Sequence, residues 1–379
     1  VLTGLAGSVL LAVSAWLASP WGLGFAGRNN TLPIRWAQSA PAVAGIALLF
    51  MGWLGLRTAA IGQLWRSFVI WCAPLLVSPP LLSKDAWAYL EQGWIVLRGF
   101  DPYLTGLSLN GGPFAERVDI YWQGTTTVYP PLALLIQAGV VAISGTHPFW
   151  SLLAMRLPGV LAVVVIGACL PRIAKATGQD AAAALWLGLA NPLLVVHFVG
   201  GAHNDAWAVA LGVAGIWCAV RWRAAWPLGC VLVGLGMAVK QPIGLMMVAV
   251  ALYGVAAGPD VPARQAWRAT LGQAVWRLPV GLLATLAGFA VPTLVSGWGI
   301  GWATGSGAPQ TAGSQSVAHT MAATLQMVTG WPMADCVAFV GPIFLTIGAV
   351  IIAWLGWRYA ASRPITFAAW GLVAFAFTY

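Results

Sequence analysis

The residues able to do chemistry fall in a few short stretches of an otherwise apolar chain. The longest is SKDAWAYLEQGWIVLRGFDPY, residues 83–103. Lys84 and Asp85 appear there after a long apolar run, and Phe100-Asp101-Pro102-Tyr103 closes it. Trp87, Leu90, Trp94 and Leu97 recur at spacings of three, four and three, which predicts a short helix over 84–98 lying in a membrane interface. Asp85 and Tyr89 are one turn apart on a different part of its surface. Ser83 is placed to cap it. A partly desolvated carboxylate at a membrane surface suits a general base for a sugar hydroxyl. It equally suits a charge favoured by the helix dipole. Asp101-Pro102 reads first as a turn, with Tyr103 able to stack on a sugar face, and Asp101 is the competing candidate for the base.

Three further places carry polar groups. Gly200-Gly201-Ala202-His203-Asn204-Asp205 sits between two apolar runs, just after a helix break at Asn191-Pro192. Broken helices are tolerated where they line a wet cavity, so His203, Asn204 and Asp205 are candidate substrate contacts. The plainer reading is a turn in which Asn204 or Asp205 caps the next helix. Lys240, in Gly236-Met237-Ala238-Val239-Lys240-Gln241-Pro242, has no acid near it in sequence. It needs a carboxylate or a phosphate as partner, unless it snorkels to the headgroups. His319 is a weaker anion-binding candidate. It lies in a Gly-, Ser- and Thr-rich loop over 297–335, long enough to form a lid or cleft wall. Tyr129-Pro130-Pro131 opens the apolar segment 132–145 and sets its angle, or is simply a helix start. His203 and Asp205, two residues apart, are a weak metal-ligand signal with no second cluster in the sequence, and no cofactor is implied.

The elements that must hold these groups are membrane helices. The chain has 379 residues, 60% hydrophobic and 7% charged, against roughly 25% charged in a soluble domain. A span needs about 20 mostly apolar residues. About eleven are expected, over 1–18, 40–56, 67–82, 153–171, 181–199, 206–220, 226–239, 242–257, 278–296, 337–357 and 365–379. They form one all-α, polytopic transmembrane domain over 1–379, a multi-pass plasma-membrane protein in contact with lipid. Val1 and Tyr379 both lie inside apolar runs, so the chain is expected to continue beyond them. The five cysteines fall in or at the ends of apolar runs and read as packing residues, with no disulfide framework. The net charge of +9 comes from basic residues scattered singly at span ends. That is a positive-inside pattern and not a nucleic-acid surface.

Segment 132–145 decides the orientation. Its 14 residues make about 21 Å of helix, short of a hydrocarbon core of about 30 Å. Read as interfacial or re-entrant, with a cytoplasmic N-terminus, it leaves eleven of the eighteen basic residues inside and seven of the nine acids outside. Read as a span, it would turn Arg172/Lys175, Arg221/Arg223 and Arg264/Arg268/Arg277 outward, against the positive-inside rule. The first reading gives a large extracytoplasmic loop over 83–156, containing juxtamembrane helices. A second extracytoplasmic loop covers 297–335. Residues 200–205 and 240–241 lie on the same face, so the active site is expected there. There is no inverted repeat of the kind transporters use.

In these runs the chain resembles the actinobacterial polyprenol-phosphomannose-dependent α-1,6-mannosyltransferases, membrane glycosyltransferases of the C-type fold. The runs that carry the resemblance are SKDAWAYLEQGWIVLRGFDPY, ALWLGLANPLLVVHFVGGAHNDAWAVALGVAG and MAVKQP, and it extends from about Ser67 to Trp331. Tyr129-Pro130-Pro131 departs from the Tyr-Gly-Pro expected there. The resemblance implies a catalytic acid in the first large extracytoplasmic loop, a position that Asp85 occupies; Tyr89, Asp101, Tyr103 and Tyr129 are the further candidate substrate contacts. It implies a second polar motif on the same face, matched by His203-Asn204-Asp205. The implied donor is polyprenyl-phospho-mannose and the acceptor a mannoside or a lipid-anchored mannan of the lipomannan type. Inversion at the sugar would form an α-1,6 linkage. Lys240 and His319, then Arg98, would meet the phosphate, and Lys84 is a further candidate substrate contact. The alternatives are a related enzyme of other sugar or linkage, such as an α-1,2-mannosyl- or arabinosyltransferase, a lipid-linked-sugar transporter, and a non-catalytic membrane subunit.

Overall fold

The computed structural model describes residues 1–19, 32–304 and 316–378. Arg28, Tyr379 and the middle of the 297–335 loop lie outside the described residues. Within them the chain is all-helical, and no strand forms. The helices are α1 (Leu2–Ala18), α2 (Leu32–Leu54), α3 (Ile61–Leu76), α4 (Asp85–Leu97), α5 (Ile120–Gln123), α6 (Pro131–Ser144), α7 (Pro148–Ala176), α8 (Ala181–Gly188), α9 (Asp205–Arg221), α10 (Trp226–Met237), α11 (Met246–Leu252), α12 (Ala263–Ser296), α13 (Gly301–Thr304), α14 (Val317–Thr329), α15 (Met333–Leu355) and α16 (Pro364–Thr378). Among the described residues three stretches are long and apolar enough to cross a membrane: α7 with 29 residues, α12 with 34, and Met333–Ala360, in which a π-turn extends α15, with 28. Leu2–Ala18, Ser39–Leu54, Pro131–Ser144, Arg223–Met237, Gln241–Val255 and Pro364–Thr378 are shorter apolar helices.

The chain forms two compact units. The first comprises 1–124 and 133–213; the second comprises 125–132 and 214–379. In the first, α1 and α2 approach until a Cβ on Gly7 would lie 2.6 Å from the Gly45 carbonyl, a separation only small residues permit. Trp53 and Trp186 stack with centroids 4.5 Å apart, and each indole N–H donates to the other's carbonyl, at 2.9 and 2.7 Å. This lock ties α2 to α8 and satisfies both indoles. In the second unit a Cβ on Gly215 would meet the Gly229 carbonyl at 2.6 Å. There Leu252, Ala274, Leu355 and Phe367 form a buried cluster that joins α11, α12, α15 and α16.

Two expected spans are not continuous helices. The helix over 181–199 stops at Gly188, passes Asn191-Pro192 and resumes as a π-helix over Leu194–Gly200. The proline has no N–H to continue the ladder, and the Asn191 side chain accepts the Leu193 N–H at 2.9 Å. The segment over 242–257 alternates 3-10 and α turns around α11. The helix expected over 84–98 forms as α4, within one residue of its expected ends. Its surroundings differ from the expected single apolar stripe. Trp87 and Leu90 are buried but Leu97 is exposed, while Tyr89, Glu91 and Gln92 are buried as well. The cause is the segment around Phe114, which covers a second face: Phe114 stacks on Trp87 and its N–H donates to Glu91 Oε2 at 3.0 Å.

Candidate active site

The site is built where two chain turns meet in the first unit. After α3 the chain runs through Ser78-Pro79-Pro80 to Leu82, whose φ is +58°, and then into α4. After the π-helix it runs through Gly200-Gly201 to Ala202, whose φ is +54°, and then into α9. Left-handed backbone costs a residue with a Cβ roughly 1–2 kcal/mol, and such strain persists where the surroundings over-determine it. Here it lies in both turns, one residue before His203 and three before Asp85. The Leu81 N–H donates to the Gly200 carbonyl at 3.3 Å and joins the turns directly.

Asp85 is the first residue of α4, and Ser83 Oγ accepts its N–H at 3.0 Å. Ser83 therefore steadies the start of the helix from one residue outside the cap position, which Lys84 occupies. The Asp85 carboxylate faces His203, with Oδ2 3.4 Å from Nδ1. Both are partly exposed, Asp85 at 32% and His203 at 17%. The His197 ring stands 5.6 Å from the His203 ring. One turn along α4, the Tyr89 hydroxyl donates to Asn204 Oδ1 at 3.4 Å. Tyr89 and Asn204 are almost fully buried, at 1% and 0%. An open carboxylate–imidazole pair is thus backed by a closed tyrosine–amide pair, and both join α4 to the start of α9. A carboxylate with an imidazole beside it can accept a proton from a hydroxyl and keep a fixed orientation while doing so.

The other expected residues have definite surroundings. Asp205 begins α9 and is half-buried. Asp101 Oδ1 accepts the Tyr103 N–H at 2.8 Å, the bond of an Asx turn. Tyr103 is buried at 5%, and burial together with Asp101 pushes its phenol above the ordinary range. This segment is a structural turn, the first of its two readings. Lys84 and Arg98 are exposed, and Arg98 lies 5.9 Å from the Trp94 ring centre. In the second unit Lys240 Nζ stands 5.7 Å from the Tyr129 ring centre, and the Ala238 carbonyl accepts the Leu132 N–H at 3.0 Å beside it. His319 lies in the first turn of α14, where its N–H donates to Ser316 Oγ at 3.1 Å. Among the described residues no group of three or more His, Cys, Asp or Glu could hold a metal ion.

Residues 1–257 match the profile of a family described as alpha-(1->6)-mannopyranosyltransferase, N-terminal domain. The chain belongs to this family. It is 28% identical over 343 residues to alpha-(1->6)-mannopyranosyltransferase A of Mycobacterium tuberculosis, covering 87% of this chain and 65% of the relative. It is 31% identical over 350 residues to a probable alpha-(1->6)-mannopyranosyltransferase of Mycolicibacterium smegmatis, covering 79% and 60%. It is 32% identical over 189 residues to alpha-(1->6)-mannopyranosyltransferase A of Corynebacterium glutamicum, covering 50% and 38%. The chain thus spans less than two thirds of each of these relatives. No solved structure matches it. The matched family region contains Asp85, Tyr89, His203, Asn204 and Lys240, so the resemblance carried by these runs is that of the family itself.

Two residues that the fold brings to this site, His197 and Arg156, and one farther along α4, Glu91, carry no functional expectation in the sequence. His197 lies six residues before His203, within an apolar run, and the only signal for it was a second histidine in so apolar a chain. In the charge pattern Glu91 is one of the seven outward acids and Arg156 one of the seven outward basic residues, both within 83–156. Neither sequence neighbourhood shows that the side chain is fully buried.

Proposed function

We propose that this family member is an inverting, polyprenyl-phospho-mannose-dependent mannosyltransferase that extends a mannan-type acceptor through an α-1,6 linkage. The proposed setting is a multi-pass protein of the C-type fold in the plasma membrane, with about eleven crossings and its site on the extracytoplasmic face. The observation that carries the reading is the Asp85–His203 pair, formed by two strained turns 118 residues apart in sequence. The names of the relatives support the sugar and the linkage.

In this reading Asp85 accepts the proton of the acceptor hydroxyl as its oxygen attacks the anomeric carbon. The new C–O bond forms as the bond to phosphate oxygen breaks, and polyprenyl phosphate leaves with the electron pair. His203, in the tautomer carrying its proton on Nδ1, donates to Asp85 and holds the carboxylate towards the acceptor. Asp85 is preferred over Asp101 because Asp101 already caps its own turn. Tyr89 and Asn204, being buried, act by holding α4 against α9. Asp205 contacts sugar hydroxyls. Arg98, at the end of the helix that Asp85 begins, is assigned to the phosphate, and Lys240, whose Nζ stands over the Tyr129 ring, and His319 are kept as candidate anion contacts.

The deciding experiment supplies the purified full-length protein in detergent with polyprenyl-phospho-mannose and a short mannoside. The expected products are polyprenyl phosphate and a mannoside longer by one α-1,6-linked residue. Another linkage or sugar would move the protein to a related specificity. Absence of transfer, with the lipid-linked sugar instead moved intact across a vesicle membrane, would overturn the enzymatic reading.

A further inference from the structure

We propose that Arg156 is the positioning residue of this site: a buried guanidinium that clamps the turn before α4 to the turn before α9, so that Asp85 and His203 meet. Arg156 lies near the start of α7 and is 2% exposed. No carboxylate among the described residues pairs with it. Its partners are four backbone carbonyls. Nε donates to Val199 at 3.2 Å, and Nη2 donates to Ser78 at 2.7 Å, Gly200 at 3.0 Å and Pro79 at 3.3 Å, so its two hydrogens are shared among three acceptors.

These carbonyls explain how a cation can be buried without an acid. Ser78 and Pro79 follow the end of α3, and Val199 and Gly200 end the π-helix. Helix ends leave carbonyls without helical partners, and each end carries about half a negative charge. Pro79 and Pro80 have no N–H, so within the turn only the Ser78 hydroxyl, which donates to the Pro79 carbonyl at 3.0 Å, and the Leu81 N–H, which donates to the Gly200 carbonyl, share these acceptors with Arg156. One planar guanidinium reaches both ends at once, which an ammonium cannot do. From the clamp, Asp85 is six residues beyond Pro79 and His203 three beyond Gly200. The left-handed residues, Leu82 and Ala202, lie on these two short paths. Loss of the clamp frees the turns to relax and the pair to separate.

The proposal rests on the reading of Asp85 and His203 above, and its test keeps the two apart. A Cβ at residue 200 would lie 3.4 Å from the Cβ of residue 81, next to the 3.5–4.5 Å range of a disulfide. Leu81→Cys/Gly200→Cys is therefore a reporter of the clamp and a replacement for it. In the full-length protein with Arg156 present, this pair should oxidise quickly and completely. In an Arg156→Met background it should close slowly. Equal closure rates overturn the clamp whatever the activity. Arg156→Met alone should lower kcat about 10²-fold, the order expected for a displacement near 1 Å, with little change in acceptor KM. Closing the disulfide should restore turnover, and dithiothreitol should remove it again. A closed disulfide, verified by mass, without recovery overturns the positioning role. If Arg156→Met does not fold, Arg156→Lys carries the same measurements. Full turnover in Asp85→Asn would sink the base assignment and leave the closure rates to decide the clamp.

Discussion

Asp85 sits where two physical demands coincide. It is the first acid of α4, favoured by the helix dipole, and it is the open member of a pair with His203. The position is compatible with both sequence readings of this residue, general base and dipole charge, and a substitution separates them. Asp85→Asn keeps the size and loses the proton acceptor, so transfer should fall by roughly 10²–10⁴-fold, while the melting temperature should fall little. A large loss of stability with near-normal specific activity would leave only the dipole role. His203→Ala should cost less than Asp85→Asn, because it removes the partner and not the base. Glu91, six residues along α4, behaves differently. It is fully buried, and burial raises its carboxyl to about 7 from an ordinary 4.5, with the backbone N–H groups of Phe114 and Ala115 acting against that rise. A group that holds its proton more tightly when folded contributes its full stability below about pH 4.5. That contribution is lost as pH rises towards 7 and then levels off. Over this shift the effect is roughly 3 kcal/mol at most. Thermal unfolding in detergent should show the protein less stable at pH 8 than at pH 5, and Glu91→Gln should flatten much of that difference. An unchanged slope in the variant would remove Glu91 as its source.

At the scale of elements, α4 is held by close backbone contact as much as by its side chains. A Cβ on Gly93 would lie 2.5 Å from the Gln137 carbonyl and 3.0 Å from the Ala138 nitrogen, both backbone atoms of α6 that cannot swing aside. Gly93→Ala should therefore push α4 away from α6, costing about 1–3 kcal/mol and disturbing Asp85 on the same helix. Gly62→Ala, with open space around it in α3, is the matched control and should be neutral or slightly stabilising. Equal melting temperatures for the two variants would mean that α4 and α6 are free to separate. This contact also marks the limit of what sequence can show. The helix was legible because Trp87, Leu90 and Trp94 repeat at helical spacing. The break at Asn191-Pro192 was legible because proline lacks a donor. The burial of Glu91 was not, since periodicity detects a helix covered on one side and the segment around Phe114 covers a second. Nor was the Asp85–His203 contact, because spacing along one helix says nothing about a partner 118 residues away. Arg156 was hidden for a related reason: a charge count registers acids and bases, and its partners are carbonyls at two helix ends.

For the whole molecule the open question is which side of the membrane each polar segment faces, and α6 is the pivot. Hydropathy counts apolar residues and so suggested about eleven crossings. Three described stretches reach spanning length, while other apolar segments are short or interrupted near Asn191 and Gln241. At 14 residues α6 is about 21 Å long, against a core of about 30 Å. If it does not cross, Lys84 and Arg264 lie on opposite faces. If it crosses, every later loop reverses and both lie outside. Both residues are exposed, and all five native cysteines are buried. Single cysteines at these positions should therefore react with a membrane-impermeant maleimide over a low background. The expected pattern in intact cells is labelling of Lys84→Cys, and labelling of Arg264→Cys only after permeabilisation. Labelling of both from outside would make α6 a span and turn the Arg221/Arg223 and Arg264/Arg268/Arg277 groups outward. Labelling of Arg264→Cys alone would invert the chain and put Asp85 on the cytoplasmic side. That result would remove the extracytoplasmic site, because the carboxylate and its histidine partner are carried by the same two turns.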